Sequence, residues 1–448
     1  MKKKFYILFT VILFAAAYVI TRALYPAYAN YFPLIGLVFL LDLYLWFSIR
    51  KRITEIHPIA TYALASVYWL PFIIMLLMTA LSFFHPVDAW ARGWHTWLMG
   101  FVVIVYVSKL FAIIFLLMAD LVKIIRHTVS FAGQKRRRTV LPAKKKISRS
   151  KFIQNIGLLG GGIILSGMII GMVRWAYEFR IKQVSLPLKN LAVPFRNLKI
   201  VHISDLHLGS WTSQSAMEEA IRMINNLGPD LVVFTGDLVN FTTKEAIPFK
   251  DALSRIKAPY GTYAILGNHD YGDYIEWPSD GSKEKNFQDL LDLYKDIGWT
   301  LLRNSTRTIT IEGKRLAITG VENWSMISRF HRYGNLKKAM NTQEEADLHI
   351  LLSHDPTHFE YRVQQKRPDI AVTLSGHTHG FQFGLEFKSF RWSPAQYMYR
   401  YWAGLYSFAT VDNFQHLYVN RGLGNIGYPG RIGILPEITL LTLRDHPG

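Results

Sequence analysis

Five short polar motifs in the C-terminal half of the chain carry the residue types that hydrolytic metal chemistry requires. They are Asp205-Leu206-His207, Gly236-Asp237, Gly267-Asn268-His269-Asp270, His354 and Gly376-His377-Thr378-His379. Asp205 and His207 are two residues apart and can both address one ion from a turn. The two oxygens of the Asp237 carboxylate suit it to bridge two cations, and Gly236 before it leaves room for close backbone approach. Asn268 offers a neutral carbonyl oxygen, and His354, His377 and His379 offer neutral imidazole nitrogens. This mixture of N and O donors suits Mn, Fe or Zn better than calcium. Two such ions would grip a phosphoryl group, activate a bridging water as a bound hydroxide and stabilise the leaving oxygen. The chain has no cysteine, so disulfides, thiolate zinc sites and a Cys nucleophile are excluded.

The elements that position these residues follow from hydropathy. From about residue 180 short apolar runs alternate with helical ones. Strands are expected at 198–203, 231–234, 262–266, 348–352 and 370–374, and helices at 215–227, 244–256 and 286–297. This alternation predicts a layered α/β domain with parallel strands at its centre. Each motif follows directly after a buried strand. Ligands gather at the carboxyl ends of strands in such sheets, so motifs far apart in sequence can converge. A lone histidine after a strand is ordinarily a satisfied polar residue, and no role is given to His202, His349 or His358.

The N-terminal third is a different material. Apolar stretches at 5–20, 32–49, 59–84 and 97–122 approach or exceed the roughly 20 residues that span a bilayer, and a glycine-rich fifth lies at 152–173. The expected organisation is a four-helix transmembrane region over 1–122, a basic cytoplasmic linker over 123–151, a fifth transmembrane helix over 152–173 and a catalytic domain over 181–448. The net charge of +19 is concentrated here. Residues 1–151 carry 20 Lys and Arg against 4 Asp and Glu, a net of +16, which leaves +3 for the remaining 297 residues. That distribution speaks for membrane orientation and against nucleic-acid binding. Lys2-Lys3-Lys4, Arg50-Lys51-Arg52 and residues 123–151, with 11 Lys and Arg and no acid, mark every second loop as cytoplasmic. With five spans the C-terminal domain is expected outside the inner or plasma membrane. Asp42 and Lys109 fall near the predicted midplane, where an unpaired charge is costly, and a salt bridge between them is expected.

The ordered set of motifs resembles the calcineurin-like metallophosphoesterases over about residues 195–442, and within that family a membrane-associated, YkuE-like subgroup. The subgroup's closing segments are matched by Asn420-Arg421-Gly422-Leu423-Gly424 and Leu435-Pro436-Glu437-Ile438; Gly380-Phe381-Gln382 departs from its usual Gly-Gly-Gln. The resemblance implies a multi-span α-helical membrane region followed by an α/β domain of two mixed β-sheets sandwiched by helices. It also implies two divalent ions. One would take Asp205, His207, Asp237 and His379, the other Asp237, Asn268, His354 and His377. His269 would contact the phosphate and serve the leaving group, with Asp270 holding its imidazole, and Arg421 or Arg431 would reach the substrate phosphate or form an ion pair.

The expected activity is hydrolysis of a cell-envelope phosphate ester by a membrane-anchored enzyme. The candidate substrates are a phospholipid or a nucleotide-linked glycolipid such as UDP-2,3-diacylglucosamine, on which some relatives act. That glycolipid faces the cytoplasm, opposite to the side the charge pattern gives the domain. A transporter or sensor with an ancillary metal domain is the competing reading. Membrane lipids are the other expected contact, through the aromatic and basic segment from Phe390 to Trp402; packing in the core accounts for that segment equally well.

Overall fold

A computed structural model describes residues 15–23, 32–54, 57–82, 92–132, 149–341, 345–364, 366–387, 390–410 and 414–446. The chain divides into two compact units, Met1–Ile169 and Ile170–Gly448.

The first unit is helical. Its helices are α1 (Phe32–Thr54), α2 (Pro58–Ser82), α3 (Arg92–Ala132) and the greater part of α4 (Arg149–Val173). Four stretches among the described residues are long and apolar enough to cross a membrane: Phe32–Arg50, Pro58–Ser82, Thr96–Val129 and Arg149–Tyr177. The expected additional span at 5–20 falls largely outside the described residues, although 15–23 are helical. Helix α3 runs to Ala132, ten residues into the stretch expected as basic linker; residues 133–148 lie outside the described ones.

Two features of the sequence explain how these helices pack. The glycines of α4 allow close approach to α3: a Cβ on Gly157 would lie 2.4 Å from the Phe115 Cβ, and one on Gly161 would lie 3.1 Å from the Ser108 carbonyl oxygen. Spaced four apart, Gly157 and Gly161 form the small-residue seam that lipid-embedded helices use in place of a hydrophobic drive. The expected polar pair also forms. Lys109 Nζ lies 2.8 Å from Asp42 Oδ1, both residues being buried, and the Tyr106 hydroxyl donates to Asp42 Oδ2 at 2.8 Å.

The second unit is built on two six-stranded sheets. The first has the order β1 (Arg180–Leu188), β14 (Glu437–Asp445), β2 (Lys199–Ile203), β3 (Leu231–Phe234), β4 (Thr262–Ala264), β5 (Thr300–Leu301). The second has the order β12 (Gly404–Ala409), β13 (Phe414–Val419), β9 (Val372–Ser375), β8 (Leu348–Leu352), β7 (Lys314–Gly320), β6 (Ser305–Ile311). Each sheet is mixed: parallel in its middle, through β2–β5 and β7–β9–β13, with one antiparallel junction at β14–β2 and others at β6–β7 and β12–β13.

Apolar side chains of both sheets meet in one core, among them Ile200, Leu231 and Val233 facing Ile318, Ile350, Val372 and Leu374. The outer face of the first sheet is covered by α5 (Gln214–Asn226) and α6 (Asp280–Asp296) through Met217, Ile221, Leu290 and Tyr294. Ser213 and Ser279 cap the two helices, accepting the Ala216 and Ser282 N–H groups. The helix expected over 244–256 does not form. Pro248 cannot donate the bond a continuous helix would need, and the stretch breaks into short turns ending in Lys250–Leu253.

Candidate metal centre

The motifs converge at the carboxyl ends of β2, β3, β4, β8 and β9. The loops after β2 and β3 are joined: Asp205 N–H donates to Gly236 O at 2.9 Å and His207 N–H to Asp237 O at 3.1 Å. Gly236 holds φ +95, and a Cβ there would meet the Gly267 nitrogen at 2.4 Å, so only glycine lets the loops after β3 and β4 touch. Asp205, His207, Asp237, His377 and His379 all adopt positive φ, between 43 and 71. Such backbone costs of order 1–3 kcal/mol per non-glycine residue, and its concentration in five of seven expected ligands marks a site held against local preference.

Two groups of donor atoms result. Asp205, His207 and His379 form one and Asp237, His354 and His377 the other, with the potential ligand atoms of each lying within 4.8 Å of one another. Asp237 ties them together. Its Oδ1 accepts the His269 N–H at 2.8 Å, which leaves Oδ2 3.4 Å from His207 Nε2 and 3.2 Å from His354 Nε2. Asn268 Oδ1 stands 3.2 Å from His354 Nε2, and His377 Nδ1 stands 3.1 Å from the same nitrogen. In the first group His379 Nε2 lies 3.3 Å from Asp205 Oδ1.

The donor set fits a pair of divalent cations. Both ring nitrogens of His207 are buried without a hydrogen-bond partner, as is Nδ1 of His379, and a coordinating ion satisfies such nitrogens. The charge balance agrees. Against the penalty of burial, the rings of His354 and His269 hold Asp237 well below the usual carboxylate range. Burial disfavours a charged His354, yet the Asp237 carboxylate outweighs it and raises the ring to about 10. Positive charge is drawn to the point where the two groups meet.

Three of the ligands are oriented by partners outside the motifs. His354 Nδ1 lies 2.7 Å from the Thr235 carbonyl, which turns Nε2 toward Asp237. His377 Nε2 faces Tyr399 Oη at 3.0 Å and the buried Asp355 carboxylate at 3.3 Å, leaving Nδ1 for the centre. Asn268 Nδ2 donates to Tyr274 Oη at 2.9 Å, which fixes the direction of its Oδ1. Sequence reasoning missed Asp355, Tyr274 and Tyr399; adjacency to His354 in Ser353-His354-Asp355 was the one available signal, for Asp355 alone.

One expectation needs correction, and another is decided between its alternatives. Asp270 does not hold the imidazole of His269. Its carboxylate accepts the backbone N–H groups of Asp237, Leu238, Val239 and Gly267 at 2.8–3.3 Å, and His269 Nδ1 instead lies 2.7 Å from the Asn240 carbonyl. Arg421 takes the ion pair that was one of its two expected roles, and Arg431 is buried against backbone carbonyls. Arg421 makes a two-pronged bond to Glu386 at 2.8 and 2.8 Å, and the fully buried Arg431 donates to the carbonyls of Arg421, Gly422 and Gly424. The three histidines left without a role behave as ordinary buried or half-buried residues; His202 Nε2, for example, is satisfied by Thr235 Oγ1 at 2.9 Å.

Comparisons with known proteins point to one family. A family model described as calcineurin-like phosphoesterase matches residues 198–381. A second, described as probable calcineurin-like phosphoesterase, transmembrane domain, matches residues 27–175 and so encloses most of the four candidate spans. The chain is 30% identical over 314 residues to the uncharacterized metallophosphoesterase YkuE of Bacillus subtilis, covering 67% of this chain and 99% of that one. It is 29% identical over 311 residues to a transmembrane protein with metallophosphoesterase domain of Danio rerio, covering 68% and 65%. It is also 28% identical over 313 residues to the UDP-2,3-diacylglucosamine pyrophosphatase LpxG of Chlamydia trachomatis, covering 60% and 90%. The chain belongs to the calcineurin-like phosphoesterase family, as a membrane protein of the metal-dependent phosphoric ester hydrolase class.

Proposed function

We propose that this protein hydrolyses a lipid-linked phosphate ester of the cell envelope at a dinuclear centre outside the cytoplasm. The observation that carries the reading is the position of Asp237 Oδ2 between His207 Nε2 and His354 Nε2, a single carboxylate oxygen shared by two donor groups. Asp205, His207, Asp237 and His379 would hold one ion, and Asp237, Asn268, His354 and His377 the other. When bound, the ions supply a water activated at neutral pH and positive charge for the phosphoryl oxygens.

The chain's own residues do the rest. Asp270 fixes the Asp237 loop and the preceding turn through four N–H groups. The Asn240 carbonyl takes the Nδ1–H of His269, so the Nε2 of that ring serves the leaving oxygen. Burial lowers His269 to about 4 despite the nearby Asp237 carboxylate, so at neutral pH the ring awaits the negative charge of a bound phosphate before it carries a second proton.

The orientation rests on charge. The basic stretch 123–151 directly precedes α4, so α4 leads from the cytoplasm to the far side whether or not residues 5–20 also span. The lipid-linked substrate is supported by the membrane unit and by the name of LpxG, a pyrophosphatase of a nucleotide-linked glycolipid.

The test is hydrolysis of paired chromogenic mono- and diesters by the full-length protein in detergent with Mn²⁺, beside Asp237→Asn. Activity abolished in the variant, with metal content falling below two per chain, supports the reading. A folded, metal-loaded wild type inert toward these esters and toward lipid phosphates would favour a transport or sensing role.

A further inference from the structure

Outside the metal centre, a small two-stranded ribbon follows the Gly376-His377-Thr378-His379 motif. Strands β10 (Leu385–Phe387) and β11 (Phe390–Trp392) pair antiparallel, with Leu385 opposite Trp392, Glu386 opposite Arg391 and Phe387 opposite Phe390. The pleat sorts them onto two faces. Leu385, Phe387, Phe390 and Trp392 share one face, and Glu386 and Arg391 share the other.

The faces are the reverse of those a water-exposed ribbon presents. The polar face turns inward: Glu386 binds Arg421, and the Arg391 guanidinium lies 4.9 Å over the ring of Trp402, itself buried. The apolar face turns outward, with Phe387 65% and Phe390 55% exposed. Trp402 thus belongs to the core, and the exposed part of the expected Phe390–Trp402 segment lies in the ribbon and at Tyr397 and Met398. The exposed face continues through Phe383, which packs on Trp392, to Phe381, which holds φ 56 while exposed. That backbone is costly for an aromatic residue and still leaves Phe381 45% exposed.

The ribbon is tied to the place where the chain leaves the membrane. Within the unit Ile170–Gly448, the carbonyl of Gly171 in the last turn of α4 accepts the Arg431 N–H at 3.2 Å. The next residue, Ile432, bridges Phe383, accepts the Gly384 N–H at 2.9 Å and donates to Gln382 O at 2.7 Å. Lys182, five residues beyond the end of the last candidate span, reaches both oxygens of Glu386 at 3.4 Å. The other end of the exposed run adjoins a ligand of the metal centre in sequence, Phe381 lying two residues after His379.

We propose that the outward face of this ribbon inserts into the lipid surface from which α4 emerges, and so forms a lipid-facing rim of the active site. An apolar patch joined to the last turn of a membrane helix meets the headgroup and acyl boundary, where aromatic side chains settle. Delivery of a lipid-linked ester to the centre rests on the function proposed above; the insertion itself does not.

The absence of cysteine makes the test direct. Phe387→Cys, Phe390→Cys and a control, Glu284→Cys on exposed α6, are each labelled with bimane in the full chain and reconstituted into phosphatidylcholine–phosphatidylglycerol vesicles. Nitroxide-labelled phospholipid is expected to quench positions 387 and 390 about twofold or more and to leave 284 unchanged. Quenching at 387 no greater than at 284, or disulfide cross-linking between two chains of the unlabelled Phe387→Cys variant, would overturn the insertion. Because the readout needs no turnover, it stands apart from any failure of the hydrolase reading. Phe387→Asp with Phe390→Asp is then expected to slow hydrolysis of vesicle phosphatidic acid about tenfold while sparing p-nitrophenyl phosphate. Equal losses on the two substrates would remove the rim's part in delivery.

Discussion

The carboxylate of Asp270 accepts the backbone N–H of Asp237 at 2.9 Å, so the residue shared by the two donor groups is held in place through its main chain. The same carboxylate takes three more N–H groups from the loops after β3 and β4 and is fully buried. Asp270→Ala would leave four buried donors unsatisfied, each at a cost of about 1–3 kcal/mol before relaxation. The expected outcome is a lower unfolding temperature together with loss of bound metal, measured by thermal denaturation and elemental analysis. A variant that kept two ions and lost only leaving-group assistance would show that Asp270 acts on His269 after all.

His269 should separate from the ligands by the opposite signature. Its ring is anchored to the Asn240 carbonyl and stands beside His207 without entering either donor group. His269→Gln is expected to slow hydrolysis by ~10²–10⁴, the usual size of general acid–base assistance. Metal content should stay at the wild-type level, and the loss should shrink for esters whose leaving group needs no proton. A fall in bound metal would place His269 among the ligands instead.

Gly376 offers a test of the crowding around Asp205. A Cβ there would fall 1.9 Å from Ser204 Oγ, 2.3 Å from Asp205 Oδ2 and 2.8 Å from Ser204 Cβ, the last of which no side-chain rotation moves. The Gly376→Ala change should therefore displace Asp205 and cut both metal content and activity at least tenfold, an effect of more than about 1.4 kcal/mol. The rest of the domain should stay folded by circular dichroism, and retained metal would contradict the geometry.

Strands β2, β3, β8 and β9 were legible because each is a short apolar run stopped by a polar motif, and convergence at their carboxyl ends followed from the parallel arrangement. Partners distant in sequence were not legible. Asp270 sits beside His269 in the chain, and adjacency suggested a bond between them; the true acceptors and donors lie some 30 residues away across the loop. The aromatic run from Phe390 to Trp402 showed no division in the sequence, yet the pleat exposes Phe390 and the core takes Trp402. Pairing of β1 with β14, across more than 250 residues, has no local signature at all.

The membrane unit yields a prediction from its buried ion pair. Lys109 donates to Asp42 and also to the Tyr68 carbonyl at 3.0 Å, while the Tyr106 hydroxyl donates to Asp42. Removing one partner leaves a stranded charge and costs about 3–5 kcal/mol, whereas replacing both by apolar residues is close to neutral. Asp42→Leu should thus abolish a monodisperse detergent-purified peak that Asp42→Leu with Lys109→Leu restores. Exchanging the two charges should restore less, because Tyr106 and the Tyr68 carbonyl are placed for the native polarity. Full recovery on exchange would mean that only the pair's net charge matters.

The Glu386–Arg421 bond fixes the acid limit of the ribbon. The Arg421 guanidinium, aided by Lys182 and opposed by partial burial, holds Glu386 down to about 2 from an ordinary 4.5. A depressed carboxylate contributes stability that is fully present above its unfolded value and is lost as pH falls through the folded one. The ribbon should accordingly remain anchored at neutral pH and loosen progressively between about pH 4.5 and 2. The protection factors of the Leu385–Phe387 amides, which are corrected for the intrinsic pH dependence of exchange, should fall in that window, and Glu386→Gln should show the lowered protection already at pH 7. Protection that is flat with pH in the wild type would mean that the backbone bonds to Ile432, rather than the ion pair, hold the ribbon to the domain.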